Sequence, residues 1–173
     1  FAKGQKEIAV PENYEEWAID PEFATLDVQR LNNQKSGFQV RMIAPFQHAT
    51  KKTLGIMPGI GFNHYDKLQI GAAFYNPPVP TNRFQYYVAP AIGLGSGELV
   101  GMADLRYRLF PGGVFPKVTL GVSGKTYNQD YNWTHDYYSR FWRVVPEVRA
   151  ELRTSHQGMR QYLNARVLHI GVE

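Results

Sequence analysis

Two segments of this sequence carry charge at every second residue. Glu147, Arg149, Glu151 and Arg153 alternate in sign, with Arg143 upstream on the same parity, and Asp104, Arg106 and Arg108 repeat the pattern earlier in the chain. A spacing of two places each run on one face of an extended strand. Opposite charges on facing strands would meet as a semi-buried ion network, a lumen charge network if the sheet closes into a barrel. The same set would also line a path for a solute or a peptide. Neither chemistry calls for a metal or a cofactor, and none is expected. The basic residues sit beside carboxylates and form no continuous stripe, so no nucleic-acid partner is expected.

Other motifs carry less. Gly121-Val122-Ser123-Gly124-Lys125-Thr126 ends like a phosphate-binding loop. The full pattern needs a Gly where Thr119 stands, and a helix where turn-like residues follow Thr126, so a strand with small residues is the better reading. Gly93-Leu94-Gly95-Ser96-Gly97 has no third Gly at dinucleotide spacing and reads as a tight hairpin turn. Among the five His, none forms the HExxH pair of a helical zinc protease. His64 with Asp66, and His135 with Asp136, fall in turn-like segments where such residues are commonplace. Ser123, Ser139 and Ser155 lack a nucleophile-elbow context, and Ser155-His156 alone names no substrate.

The elements that must position these residues follow from composition. With 173 residues the chain has the size of one domain, and with no Cys it excludes disulfide scaffolds, thiol catalysis and Cys-based zinc sites. Charged residues are only 20%, aromatics reach 14% and there are 16 Gly, which points to strands rather than to disorder. Charge divides the chain. Residues 1–36 hold 7 acidic and 4 basic groups, whereas 37–173 hold 8 and 15. The first part is polar, carries Pro11 and Pro21, and reads as a linker or tail with a short helical turn near 21–31. No apolar stretch reaches the ~18 residues that a membrane helix needs. The chain begins at Phe1 rather than Met, so an N-terminal part is expected to be missing through processing or truncation, and the absence of a signal peptide says nothing about compartment.

From Gly37 on, runs of Tyr, Val, Gly and Leu are separated by turn residues. The pattern predicts eight strands, over 37–47, 54–62, 67–76, 84–95, 99–110, 116–128, 137–153 and 159–172. Each has one apolar face. Leu99, Gly101, Ala103, Leu105, Tyr107 and Leu109 oppose Val100, Met102, Asp104, Arg106, Arg108 and Phe110. Leu54, Ile56, Pro58, Ile60 and Phe62 oppose Gly55, Met57, Gly59 and Gly61. Trp142, Val144, Pro146, Val148, Ala150 and Leu152 oppose the second charged run. Alternation does not say which face is inside. In a soluble sandwich or lipocalin-like barrel binding a lipid or a sugar, Leu99, Leu105, Val118 and Leu120 would face the core. In a membrane barrel they would face lipid, around a polar lumen. The expected strands exceed the usual 5–6 residues and suit a tilted span of about 9–11. The second face is small where a narrow barrel interior would need it, and aromatics such as Tyr86, Tyr107, Phe110, Tyr131 and Trp133 gather at strand ends like interfacial girdles. Against this, Pro45, Pro58, Pro90 and Pro146 interrupt the expected strands and require bulges or edges. The 159–172 strand is less clean, with Arg160, Arg166 and His169 interspersed, and a register-shifting bulge is one explanation.

Several segments carry a family resemblance. Met57-Pro58-Gly59-Ile60-Gly61-Phe62-Asn63-His64-Tyr65-Asp66-Lys67, Arg83-Phe84-Gln85-Tyr86-Tyr87-Val88-Ala89-Pro90 and Tyr138-Ser139-Arg140-Phe141-Trp142-Arg143-Val144-Val145-Pro146 resemble the C-terminal outer-membrane β-barrel of Bacteroidetes metallopeptidase-like proteins of the aminopeptidase N clan. The resemblance implies an antiparallel up-and-down transmembrane β-barrel over 37–173, preceded by a periplasmic linker over 1–36. It implies a non-catalytic anchor for a periplasmic zinc metallopeptidase-like domain outside this chain, with outer-membrane lipid and other outer-membrane subunits as partners. It carries over no catalytic residue. The ending Gly171-Val172-Glu173 departs from the aromatic finish usual in such barrels, so the barrel is expected to be cut short or to continue. A barrel enzyme and a small-solute channel are the remaining alternatives.

Overall fold

The computed structural model describes residues 37–48, 51–153 and 159–173. The linker expected over 1–36, its helical turn and the Ser155-His156 pair lie outside these. The described residues form one nine-stranded sheet: β1 (Gly37–Met42), β2 (Lys51–Asn63), β3 (Lys67–Tyr75), β4 (Phe84–Gly93), β5 (Leu99–Leu109), β6 (Lys117–Asn132), β7 (Tyr137–Leu152), β8 (Gln161–Arg166) and β9 (His169–Val172). Neighbours follow chain order from β1 to β8, and β9 pairs with β7. From β2 onward every pairing is antiparallel, and the short turns that join β2 to β3, β4 to β5 and β6 to β7 allow nothing else for those pairs. No backbone pairing joins β1 to β8, so hydrogen bonds do not close the sheet into a barrel.

Three expectations need correction. The first strand ends at Met42 rather than residue 47, and it pairs parallel with β2, Gly37 opposite Lys51 and Met42 opposite Ile56. Ile43 takes a positive φ of 51° and turns the chain away, so Pro45 lies outside any strand. Beyond it, the Ala44 amide donates to Tyr75 Oη at 2.9 Å and Phe46 bridges to Val79. The last expected strand is two strands in one register. Glu147 faces Arg166 and Val144 faces His169, each three residues further along, so no register-shifting bulge separates them. The gap falls opposite Pro146, whose nitrogen has no proton to donate, although its carbonyl accepts from Val167 N at 3.1 Å. The ladder irregularity lies instead in β6, between Asn128 and Asp130.

The other two strand prolines follow the same rule. Pro58 lies past the end of β1, where that side of β2 has no strand beside it among the described residues. Pro90 sits where the β3–β4 ladder lapses between the Gly71–Ala91 and Phe74–Val88 pairs. There the two backbones approach so closely that a Cβ on Gly71 would stand 2.1 Å from the Pro90 carbonyl oxygen, and glycine is required.

Register joins the alternating faces into two continuous surfaces. Ile60, Ile70 and Ile92 are successive partners across β2, β3 and β4; Leu105, Val122 and Pro146 are partners across β5, β6 and β7. This apolar surface is turned outward: Ile60 is 81% exposed, Leu99 62% and Leu163 60%. The buried apolar residues Ala73, Val100 and Val145, and buried Thr53, belong to the opposite, small and polar face. The sheet therefore curls around its polar side. Leu99 and Leu120 are exposed and Leu105 and Val118 half-buried.

Candidate functional site

The inward face carries two polar centres, one toward each end. Strands β2, β4 and β6 run toward the end formed by the turns at 64–66, 94–98 and 133–136. The loops at 76–83 and 110–116, with Arg153 and residues 159–160, lie at the other.

At the loop end, six of the eight charges singled out from sequence come together. Asp104, Arg106 and Arg108 on β5 and Glu147, Arg149 and Glu151 on β7 line one cavity of about 370 Å³. Strand β6 separates the two runs with short side chains. Its Gly121 is the partner of both Arg106 and Glu147, and Thr119 is the partner of both Arg108 and Arg149. Lys117, Arg160 and Tyr162 complete the wall. The alternating runs did not point to them, because single charges and a lone Tyr show no such run. Arg143 and Arg153 are not part of it. Arg143 is exposed and paired with Lys125 and Ile170, and Arg153 follows β7, where its backbone N donates to Val114 O at 2.9 Å.

The charges do not pair across the strands. Arg106 lies along its own strand against Asp104, Nε to Oδ1 at 2.8 Å and Nη2 to Oδ2 at 3.0 Å. Arg108 donates to the Asn82 carbonyl at 2.7 Å and to Gln85 Oε1. Arg149 sets its guanidinium 3.9 Å from the centroid of the Tyr162 ring, a cation–π contact. The one further salt bridge among the described residues, Arg140 to Glu98 at 2.7 Å, lies toward the other end.

At the turn end, Asp66 is fully buried and its carboxylate is saturated. Asn63 Nδ2 donates to it at 2.7 Å, Ser96 Oγ at 2.7 Å, Gln69 Nε2 at 3.0 Å, Asn128 Nδ2 at 2.8 Å and the Asn128 backbone N at 3.1 Å. Asn63 also caps its own turn through the backbone N–H groups of Tyr65 and Asp66, and donates to Asn128 O at 3.0 Å. One carboxylate thus ties the β2–β3 turn, the β4–β5 turn and β6 together across the inward face. Burial pushes the Asp66 carboxyl up, but the hydrogen bonds from Ser96, Asn128 and Gln69 outweigh it and hold its pKa below the ordinary value. With its oxygens so occupied, Asp66 offers little to a metal shared with His64, whose ring instead packs edge-on against Tyr65 at 5.0 Å. Gly93 through Gly97 form the expected turn, with Gly97 N donating to Gly93 O at 2.8 Å, and the Gly121–Thr126 segment is extended strand paired on both sides.

Sequence reading missed the Asp66 centre. Asn128 lies 62 residues from Asp66, and counting by twos groups it with Val122, which is 38% exposed. Alternation does not carry through to that end of β6. No family model, curated protein or solved structure matches the chain.

Proposed function

We propose that this chain is the barrel-forming part of an outer-membrane protein, with a non-catalytic role as an anchor. The observation that carries the reading is the orientation of the sheet: its continuous apolar surface points outward, while the small, polar surface lines the concave side. A water-soluble barrel has the opposite arrangement, and lipid is the solvent for which an apolar exterior is favourable. Strand lengths of 9–16 residues from β2 to β7 match or exceed a tilted span of about 9–11. Trp133 and Tyr138 each pack on Tyr131 at the turn end, as an aromatic girdle would. The likeness to Bacteroidetes metallopeptidase-associated barrels supports a periplasmic domain as the cargo, held through 1–36.

A bilayer leaves no partner for a bare strand edge, so the proposed state must close. Because β1, β2 and β8 run in the same direction, closure takes either a parallel seam between β8 and β1 or a further strand between them.

Two measurements test the reading. The protein is expected to need detergent for extraction and to migrate differently on gels before and after heating. Cysteine at Leu120 should react only with a lipid-soluble reagent, and cysteine at Arg106 only with an aqueous one. Monodisperse protein in plain buffer, or aqueous labelling at Leu120, sinks the proposal.

A further inference from the structure

We infer that the loop-end cavity binds a phosphate-bearing solute, held between Arg108 and Arg149 over Thr119. Such a site goes beyond the anchoring role. Arg108, Thr119 and Arg149 are successive partners across β5, β6 and β7, and all three line the cavity. This rung carries two cations and a hydroxyl, with no carboxylate. Neighbouring strands lie about 4.8 Å apart, so the two arginine backbones are about 10 Å apart and their side chains can close on one group of phosphate size.

Both guanidiniums are positioned by neutral groups. The Asn82 carbonyl and Gln85 amide oxygen hold Arg108, and the Tyr162 ring holds Arg149. Among the described residues neither is within 4.0 Å of a carboxylate, although Glu147 and Glu151 flank Arg149 on the same face. Arg106, the cation whose charge is matched, is the one paired with Asp104. Lys117 and Arg160 add to the positive balance of the wall, in which five cations face three carboxylates. Arg108 gives one N–H of each terminal nitrogen to Asn82 and Gln85 and keeps the others, planar guanidiniums recognise oxyanions through paired N–H groups, and a volume of about 370 Å³ admits a small molecule. The cavity lies on the concave polar side, away from the apolar surface, which favours a soluble phosphate over a lipid headgroup.

The test is calorimetric titration of the full chain, in whatever detergent or buffer keeps it folded, with inorganic phosphate against chloride at constant ionic strength. Phosphate should bind. Arg149→Gln and Arg108→Gln should each weaken it about tenfold, the scale of one charge-assisted hydrogen bond, and Thr119→Val by less. Arg143→Gln removes the same charge outside the cavity and should leave binding unchanged. Far-UV circular dichroism checks folding. If the Gln variants do not fold, Arg149→Lys, which keeps the charge but loses the planar fork, should still weaken phosphate binding. No binding by the wild type, or equal loss in Arg143→Gln, overturns the site. Weakened retention on phosphatidylglycerol vesicles with unchanged phosphate affinity assigns the anion to lipid and overturns the soluble ligand.

Discussion

The two ends of the concave face are both polar, yet they are built on opposite terms. At the turn end a single carboxylate, Asp66, is fully buried and receives five hydrogen bonds from four residues on three parts of the chain. At the loop end eight charged side chains line about 370 Å³, and only one pair of them forms a salt bridge. A buried group with every acceptor filled contributes to stability, because removing it strands its donors. Charges in contact with water contribute little to stability and remain available to a ligand. The contrast separates where the fold is held from where charge is left for the proposed ligand.

The comparison is sharpest at Asp66 itself. Asp66→Ala leaves donors from Asn63, Gln69, Ser96 and Asn128 without an acceptor, and a loss of about 3 kcal/mol or more is expected, read as a lowered denaturant midpoint. A smaller loss, about 1–3 kcal/mol, is expected for Gly95→Ala by the same measurement, because a Cβ there would stand 2.6 Å from the Tyr65 carbonyl oxygen. Acid probes the same centre without mutation. The Asp66 pKa is depressed in the folded state, so its stabilising contribution is complete above the unfolded value of about 3.9 and is lost as pH falls through the folded value. Acid unfolding of Asp66→Asn should accordingly lack part of the pH dependence of the wild type below pH about 4. The smallest effect belongs to the loop end. Arg106→Gln breaks a pair whose side chains are 54% and 35% exposed, and should cost at most about 1 kcal/mol. Should Arg106→Gln destabilise as much as Asp66→Ala, the division of labour between the two ends is wrong.

Much of the sheet was legible in the sequence. Five of the eight expected strands, from 54–62 through 99–110 and at 137–153, match β2 to β5 and β7 to within three residues at each end. Turn residues such as Asn63 and Ser96 mark their limits through the hydrogen bonds those side chains make. A period of two put Asp104, Arg106 and Arg108 on one face of their strand and Glu147, Arg149, Glu151 and Arg153 on one face of theirs; in the sheet, the first three and Glu147, Arg149 and Glu151 line the same cavity, and Arg153 does not. The pairing inside that cavity was not legible. Arg106 turns to its neighbour two residues back, Arg149 to an aromatic ring, and Arg143 and Arg153 elsewhere, since rotamers answer to nearby atoms rather than to parity. The parallel β1 was hidden as well, because one residue with positive φ, Ile43, reverses the expected course.

The sequence by itself determined that the chain makes strands, where most of them begin and end, and which side chains share a face. Those are consequences of local periodicity, turn chemistry and the missing N–H of proline. Only the tertiary structure decided which face is concave, that β1 runs parallel, that the last strand breaks opposite Pro146, and that Asp66 meets Asn128. The first three depend on which backbone lies beside which and how the sheet bends, and the last on strands three or more apart; a pattern with a period of two carries no information on either.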